Sequence, residues 1–285
     1  MNRRNGRMIV LLAALGLLPS GAPAQTRNFD LGAVFDTVKN VARSQSVASI
    51  DQDEEIRIGR DVAASTLSDY PLIQNEPLQR RLNQIGVWIA LQSSRPGLPW
   101  HFAAVKSGQI NAFAAPGGTI LVTGGMLGHV TNEAELACVL GHEIGHVVHR
   151  HHLAVLQKSL LVAAGASALS VSSKSAGSED LRKRLLAEGK EVFTRGLDRG
   201  AEREADEEGL LLAARAGYDP AACVDFMQRL ARLKPDVGPL EALYKTHPSA
   251  RERVTDVTQA MHRLQGATPG SGARPPLTLE AQGGK

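Results

Sequence analysis

Cysteine is scarce in this chain. Cys138 and Cys223 are the only two among 285 residues, too few for a disulfide scaffold. An oxidising compartment permits a bridge between them, with buried thiols as the default expectation. Neither falls at a metal-ligating spacing. Aromatic residues are also few, at 4% of the chain, and no basic cluster interleaves with them, so nothing points to nucleic acid. An excess of one charge is nearly lacking. The 32 basic side chains face 29 acidic ones, a formal +3, and Arg3, Arg4 and Arg7 sit in a leading stretch without acids. Without that stretch the chain is close to neutral. No helical repeat is recognisable, so a repeat platform for docking partners is not expected.

Long apolar runs are missing too. Met8 to Leu18 is apolar over eleven residues, short of the roughly 20 that cross a bilayer as a helix. A basic segment precedes it and Ala22-Pro23-Ala24 follows, which together read as a signal peptide over 1–24, with the mature chain starting at Gln25. An uncleaved membrane anchor is the alternative. No cysteine follows the cleavage site, so a lipid anchor is not indicated.

What the chain does have is His142-Glu143-Ile144-Gly145-His146. Residues four apart share one face of a helix, so two imidazoles can grip one zinc ion. Glu143 then sits beside the metal, placed to act as base towards a water. The surroundings are helical. Thr131 and Asn132 are cap-type residues, Glu133 and Glu135 suit a first turn, and Leu136, Val139, Leu140 and Ile144 recur at helical spacing. Gly141 and Gly145 are costly in a helix interior, so something comes close to them: a second backbone in tight helix packing, or a substrate.

A catalytic zinc needs a third protein ligand and an open position. Glu202 and Asp206 are four apart on a second predicted helix, closed by Gly217, with Asp219-Pro220 opening the next. Glu202 suits a ligand, and Asp206 suits a partner for a ligand imidazole's ring N–H. Glu204 and Glu207 are expected to point elsewhere. Spacing alone leaves a solvated acidic face equally open, because five acids crowd seven positions.

Four separated stretches resemble the zinc metallopeptidase family of the CAAX prenyl endopeptidases and the bacterial heat-shock and periplasmic quality-control proteases. They are Asn111-Ala112-Phe113-Ala114-Ala115-Pro116-Gly117-Gly118, Glu135-Leu136-Ala137 running into the H-E-x-x-H motif, Glu202-Arg203-Glu204-Ala205-Asp206, and Thr246-His247-Pro248. The resemblance implies a mainly helical α+β fold, a zincin-like domain with a small three-stranded sheet beside the motif helix. It implies one zinc per chain on His142, His146 and Glu202, with Asp206 beside them and Glu143 as general base in peptide hydrolysis. Its periplasmic members imply the periplasm as destination and unfolded or misassembled envelope proteins as substrates. A chaperone-like protein that holds extended segments, with zinc structural or capped, is the alternative.

The remaining expectations follow from local patterns. Strands are predicted at 100–106, 109–114 and 119–123. In the resembling family the sheet's edge strand pairs with extended substrate, which puts Asn111, Ala112 and Ala114 nearest to it; a purely structural meander is the alternative. His247 would donate to a developing oxyanion or occupy the open zinc position. Arg253 would assist as a fixed charge, or be a surface arginine. His149, His151 and His152 read as a solvated helix end rather than a second metal site. Helix is expected from Asp53 to Gln92 with a break at Pro71, from Asp219 to Lys234, and from Pro248 to Leu264. Leu153 to Ser173 carries Lys158 as its only charge and is expected as a hairpin over the cleft, gating substrate or touching a membrane surface, or else as a core helix. The predicted organisation is a loose segment at 25–50, a peptidase domain at 51–264 and a disordered tail at 265–285. Nothing in the sequence sets the oligomeric state.

Overall fold

The computed structural model describes residues 50–158, 196–233, 238–247 and 250–267. The expected leader, the 25–49 segment, most of the expected hairpin and the end of the tail lie outside these residues. Two helices come first, α1 (Gln52–Asp69) and α2 (Glu76–Ala90). Asp51 caps the first by accepting from the Glu54 N–H, and Asn75 caps the second by accepting from that of Leu78. Pro71 separates them as expected, since the residue before a proline leaves the helical region.

Three strands follow: β1 (His101–Val105), β2 (Ala112–Ala115) and β3 (Thr119–Thr123). Their order is β1-β3-β2, parallel between β1 and β3 and antiparallel between β3 and β2. The second strand starts three residues later than predicted. The buried Thr123 hydroxyl explains this: it accepts from the Asn111 N–H at 3.1 Å and donates to the Gln109 carbonyl at 2.6 Å, so a side chain takes bonds that a regular ladder would make there. Gly117 and Gly118, at φ 76° and 108°, make the turn into β3 that other residues resist.

After the short α3 (Gly124–His129) comes the motif helix α4 (Glu133–Val148). Asn132 caps the helix by accepting from the Glu135 N–H, and the Glu135 carboxylate reaches back one residue past the cap to accept from the Thr131 N–H at 2.7 Å. The chain continues as α5 (Arg199–Arg215), α6 (Ala221–Arg232), α7 (Glu241–Thr246) and α8 (Ala250–Ala267). Gly217, at φ 92°, closes α5 as predicted. The last helix is described from Ala250 and runs three residues past Leu264. None of the described helices is long and apolar enough to cross a membrane.

The motif helix is the core of the fold. Leu136, Leu140 and Ile144 are at most 1% exposed, packed among side chains from α2, the sheet and α5. Its two glycines mark where α5 crosses. A Cβ on Gly141 would lie 2.7 Å from the Gly209 carbonyl oxygen, and one on Gly145 would lie 3.0 Å from the Ala205 Cα. Tight helix packing, not substrate, therefore accounts for both glycines.

Cys138 and Cys223 form a disulfide that ties the motif helix to α6, which corrects the expectation of free buried thiols. The two Cα atoms are 5.3 Å apart, within reach of a bridge, and 85 residues of separation give the bridge leverage over the unfolded chain. In the chain-entropy model a loop of that size contributes about 4–5 kcal/mol.

Candidate metal centre

The crossing of α4 and α5 sets the centre. Spaced one turn apart, His142 and His146 present their Nε2 atoms to the same point, 2.9 Å from each other. Across the contact, Glu202 brings Oε1 to 3.6 Å from His146 Nε2 and Oε2 to 3.7 Å from His142 Nε2. His247, at the end of α7, places Nδ1 3.2 Å from Glu202 Oε1 and 3.3 Å from His142 Nε2. Four donor groups thus lie within 4.8 Å of one another. A tetrahedral zinc with bonds of about 2.0–2.2 Å needs its donors roughly 3.3–3.5 Å apart, so these residues fit the ion.

Protonation agrees with the fit. Burial pushes the His146 imidazole well below its ordinary range, assisted by the neighbouring rings, so it is a neutral ligand. Burial also opposes charge on Glu202, but His247 and Arg253 outweigh it and hold that carboxyl down to about 2. Asp206 is likewise buried, and Arg253 holds its carboxyl far below the usual carboxylate range. His247 is raised: burial works against its charge, and the Glu202 carboxylate overcomes it.

Each candidate residue has a definite setting. Asp206 Oδ1 is 2.9 Å from His142 Nδ1, so it accepts that ring's N–H when Nε2 faces the centre. Arg253 is not a surface arginine. It grips Asp206 at 2.5 and 2.7 Å and Glu202 at 2.6 Å, which lets two carboxylates sit side by side in the interior. Glu143 is 2% exposed, and its Oε2 has no hydrogen-bond partner among the described residues. Burial raises its pKa. An orphaned, buried carboxylate oxygen beside a donor cluster is the arrangement a general base needs.

The sheet reaches the same place. The Thr123 N–H donates to the Asn111 carbonyl at 3.1 Å, so Phe113 and Ala115 face β3 and the backbone groups of Ala112 and Ala114 face the outer edge. Asn111 instead uses its side chain internally, accepting from the Thr246 hydroxyl at 3.2 Å and so steadying the residue before His247. An apolar cavity opens beside Glu143 and His247, walled by Ala112, Met126, Val139, Phe226 and Met227.

The expectation of a solvated helix end is corrected in part. The helix stops at Val148 and His149 is exposed at its end, but His151 is buried with its Nδ1 2.9 Å from His146 Nδ1. Glu204 and Glu207 both point away from the donor cluster as expected: Glu204 Oε2 lies 3.0 Å from His151 Nε2, and Glu207 pairs with Arg263. A histidine five residues past the motif was the available signal, but nothing local announced the turn that brings it back. The residues 151–158 are helical, and Leu153 and Leu156 pack with Ile58, Val62 and Ala115, so the start of the expected hairpin belongs to the core.

Comparison with known proteins agrees with this geometry. The beta-barrel assembly-enhancing protease of Yersinia pestis is 29% identical over 263 residues, covering 90% of this chain and 53% of that protein. The mitochondrial metalloendopeptidase OMA1 of Arabidopsis thaliana is 36% identical over 172 residues, covering 60% of this chain and 33% of its own. The metalloprotease YcaL of Escherichia coli is 25% identical over 256 residues, covering 89% and 96%. The chain spans about half the length of the assembly-enhancing proteases it matches. The model of peptidase family M48 matches residues 76–261, across both the motif helix and the helix that carries Glu202. With the fold, the donor cluster and this match in agreement, the chain belongs to peptidase family M48.

Proposed function

We propose that this chain is a zinc-dependent endopeptidase that cleaves misfolded or misassembled proteins of the cell envelope. The observation that carries the reading is the convergence of His142, His146 and Glu202 on one point, with the unpartnered Glu143 oxygen beside it. When bound there, zinc supplies Lewis acidity, acidifying water and polarising the scissile carbonyl. Glu143 takes the proton of the attacking water and delivers it to the leaving amine nitrogen. Burial raises its pKa, which favours taking up the proton. Asp206 holds His142 in register, and Arg253 holds Asp206.

The outer edge of β2 offers backbone partners to an extended peptide at Ala112 and Ala114, which gives affinity without demanding one sequence. The apolar cavity takes a hydrophobic side chain next to the cleavage point. Unfolded proteins expose such side chains. Relatives named for beta-barrel assembly support an envelope substrate, and the leader read at 1–24 supports a periplasmic site. Casein digestion tests the class. Purified chain is expected to cut casein, to stop when a chelator strips the metal, and to resume when zinc is restored. A protein that holds casein without cutting it is the binding module instead.

His247 has two readings, and its position favours one. Its Nδ1 lies among the donor atoms, which suits a cap, while its Nε2 lies 3.6 Å from Glu143 Oε1 beside the cavity. It is therefore read as a cap on the open position. His247→Ala is expected to weaken zinc binding and to raise basal casein cleavage. A fall in kcat of about 10²–10³-fold would mark it as an oxyanion partner. No change in either quantity discards both roles.

A further inference from the structure

The chain leaves the motif helix through Arg150, which has a φ of 56° and is the one non-glycine residue in the left-handed region among those described. Such backbone persists only where the surroundings enforce it, and it collects at functional sites. The enforcement is visible. The Arg150 guanidinium sits 3.0 Å from Glu55 Oε2, and the fully buried Glu55 is clamped by Arg95 at 2.8 Å and accepts from the Gly117 N–H at 3.3 Å. On an unbroken helix His151 would stand about 140° round from His146. The reversal at Arg150 folds it back underneath instead.

There, His151 is 4% exposed and links two groups, His146 Nδ1 at 2.9 Å and Glu204 Oε2 at 3.0 Å. The protons can be counted. His146 turns Nε2 towards His142 and Glu202, so as a neutral ligand it carries its proton on Nδ1. That N–H needs an acceptor, and His151 Nδ1 is the atom in reach. Accepting there puts the His151 proton on Nε2, which donates to the Glu204 carboxylate. Every proton then has one place, and each donor meets an acceptor.

We infer that His151 and Glu204 form a relay that fixes the ring orientation and tautomer of His146 for metal binding, as Asp206 does directly for His142. Both are positioning residues. The inference rests on the zinc reading of the centre. It also settles a competing use of the same atoms. His149, His151 and Glu204 bring ligand atoms within 4.8 Å of one another, enough to suggest a second ion. A metal on His151 Nε2 would force its proton onto Nδ1, setting two N–H groups against each other across 2.9 Å. With zinc on His146, the relay and a second ion on His151 exclude each other.

The test measures zinc affinity by chelator competition, and the visible spectrum of the cobalt(II)-substituted protein, in wild type, Glu204→Gln, His151→Ala and the double variant. Glu204 is 62% exposed at its side chain, so its substitution leaves folding intact and decides the matter even if His151→Ala does not fold. His151→Ala is expected to lose about 10–100-fold in zinc affinity and to shift the cobalt bands. Glu204→Gln should lose less, about 3–10-fold, because an amide oxygen still accepts. The double variant should match His151→Ala, since Glu204 acts only through His151. Wild-type affinity in both single variants, additive losses in the double, or a second zinc in wild type that Glu204→Gln removes would each overturn the relay. A wild-type chain that takes up no zinc ends both the relay and the reading beneath it, which separates the two failures.

Discussion

Replacing Glu143 with glutamine lowers casein cleavage by about 10²–10⁴-fold, the range that a positioned general base supplies. Zinc content and thermal stability stay near wild type. The two halves of this expectation have separate causes. Glutamine keeps the volume and an acceptor oxygen in a site that is 2% exposed, so packing is unchanged. It cannot take a proton, so the step that forms the nucleophile fails. Burial already disfavours the ionised form of Glu143, which makes a neutral amide easy to hold there. Steady-state kinetics on wild type and variant, with metal analysis of the same preparations, checks both halves. Activity within threefold of wild type in a fully loaded variant removes Glu143 from the role of base; the threefold limit is about 0.7 kcal/mol, far below the roughly 3–5 kcal/mol at stake.

Gly141→Ala is the second substitution with a large expected effect, although it adds one methyl group. In an open helix interior this change stabilises by about 1 kcal/mol. Here the new carbon meets the Gly209 carbonyl at 2.7 Å, and that atom is backbone, which a rotamer change cannot move aside. Overpacking of this kind costs about 1–3 kcal/mol, so the sign reverses. The consequence is functional as well as structural. Glu202 and Asp206 ride on α5, one to two turns from Gly209, so separating the helices pulls a ligand and a ligand's partner away from His142. Zinc affinity and melting temperature should fall together. Gly128→Ala supplies the control, because nothing lies within 4 Å of its added carbon. If Gly141→Ala melts at or above wild type with unchanged zinc affinity, the helix crossing does not set the centre.

Much of this centre could be read before any coordinates, because its parts are local patterns. His142 and His146 share a face by helical period, as do Glu202 and Asp206, and Asn132 and Glu135 mark the helix start by their chemistry. The break at Pro71 and the stop at Gly217 are backbone restrictions that belong to the residue itself. Tertiary placement was less legible. Cys138 and Cys223 are 85 residues apart, and no local property of either helix reveals that they meet. Arg253 reads as surface from its charge alone, and its burial follows from two carboxylates on another helix. Arg150 is not a turn-forming residue, so its reversal, held by Glu55 from the first helix, left no trace near the motif. Without that reversal His151 and Glu204 look like solvated charge. Gly141 and Gly145 fall between these cases. The sequence showed that something approached them, and only the fold could say that it was α5.

The most direct measurement of the account is X-ray absorption at the zinc edge on metal-loaded full-length chain, paired with elemental analysis of wild type and Glu202→Ala. One zinc per chain is expected, with a shell of nitrogen and oxygen at about 2.0–2.2 Å and no sulfur, and a loss of zinc in the variant. A wild-type chain that holds no zinc, or a Glu202→Ala chain that holds it as tightly as before, contradicts the claim that two helices deliver three ligands to one ion.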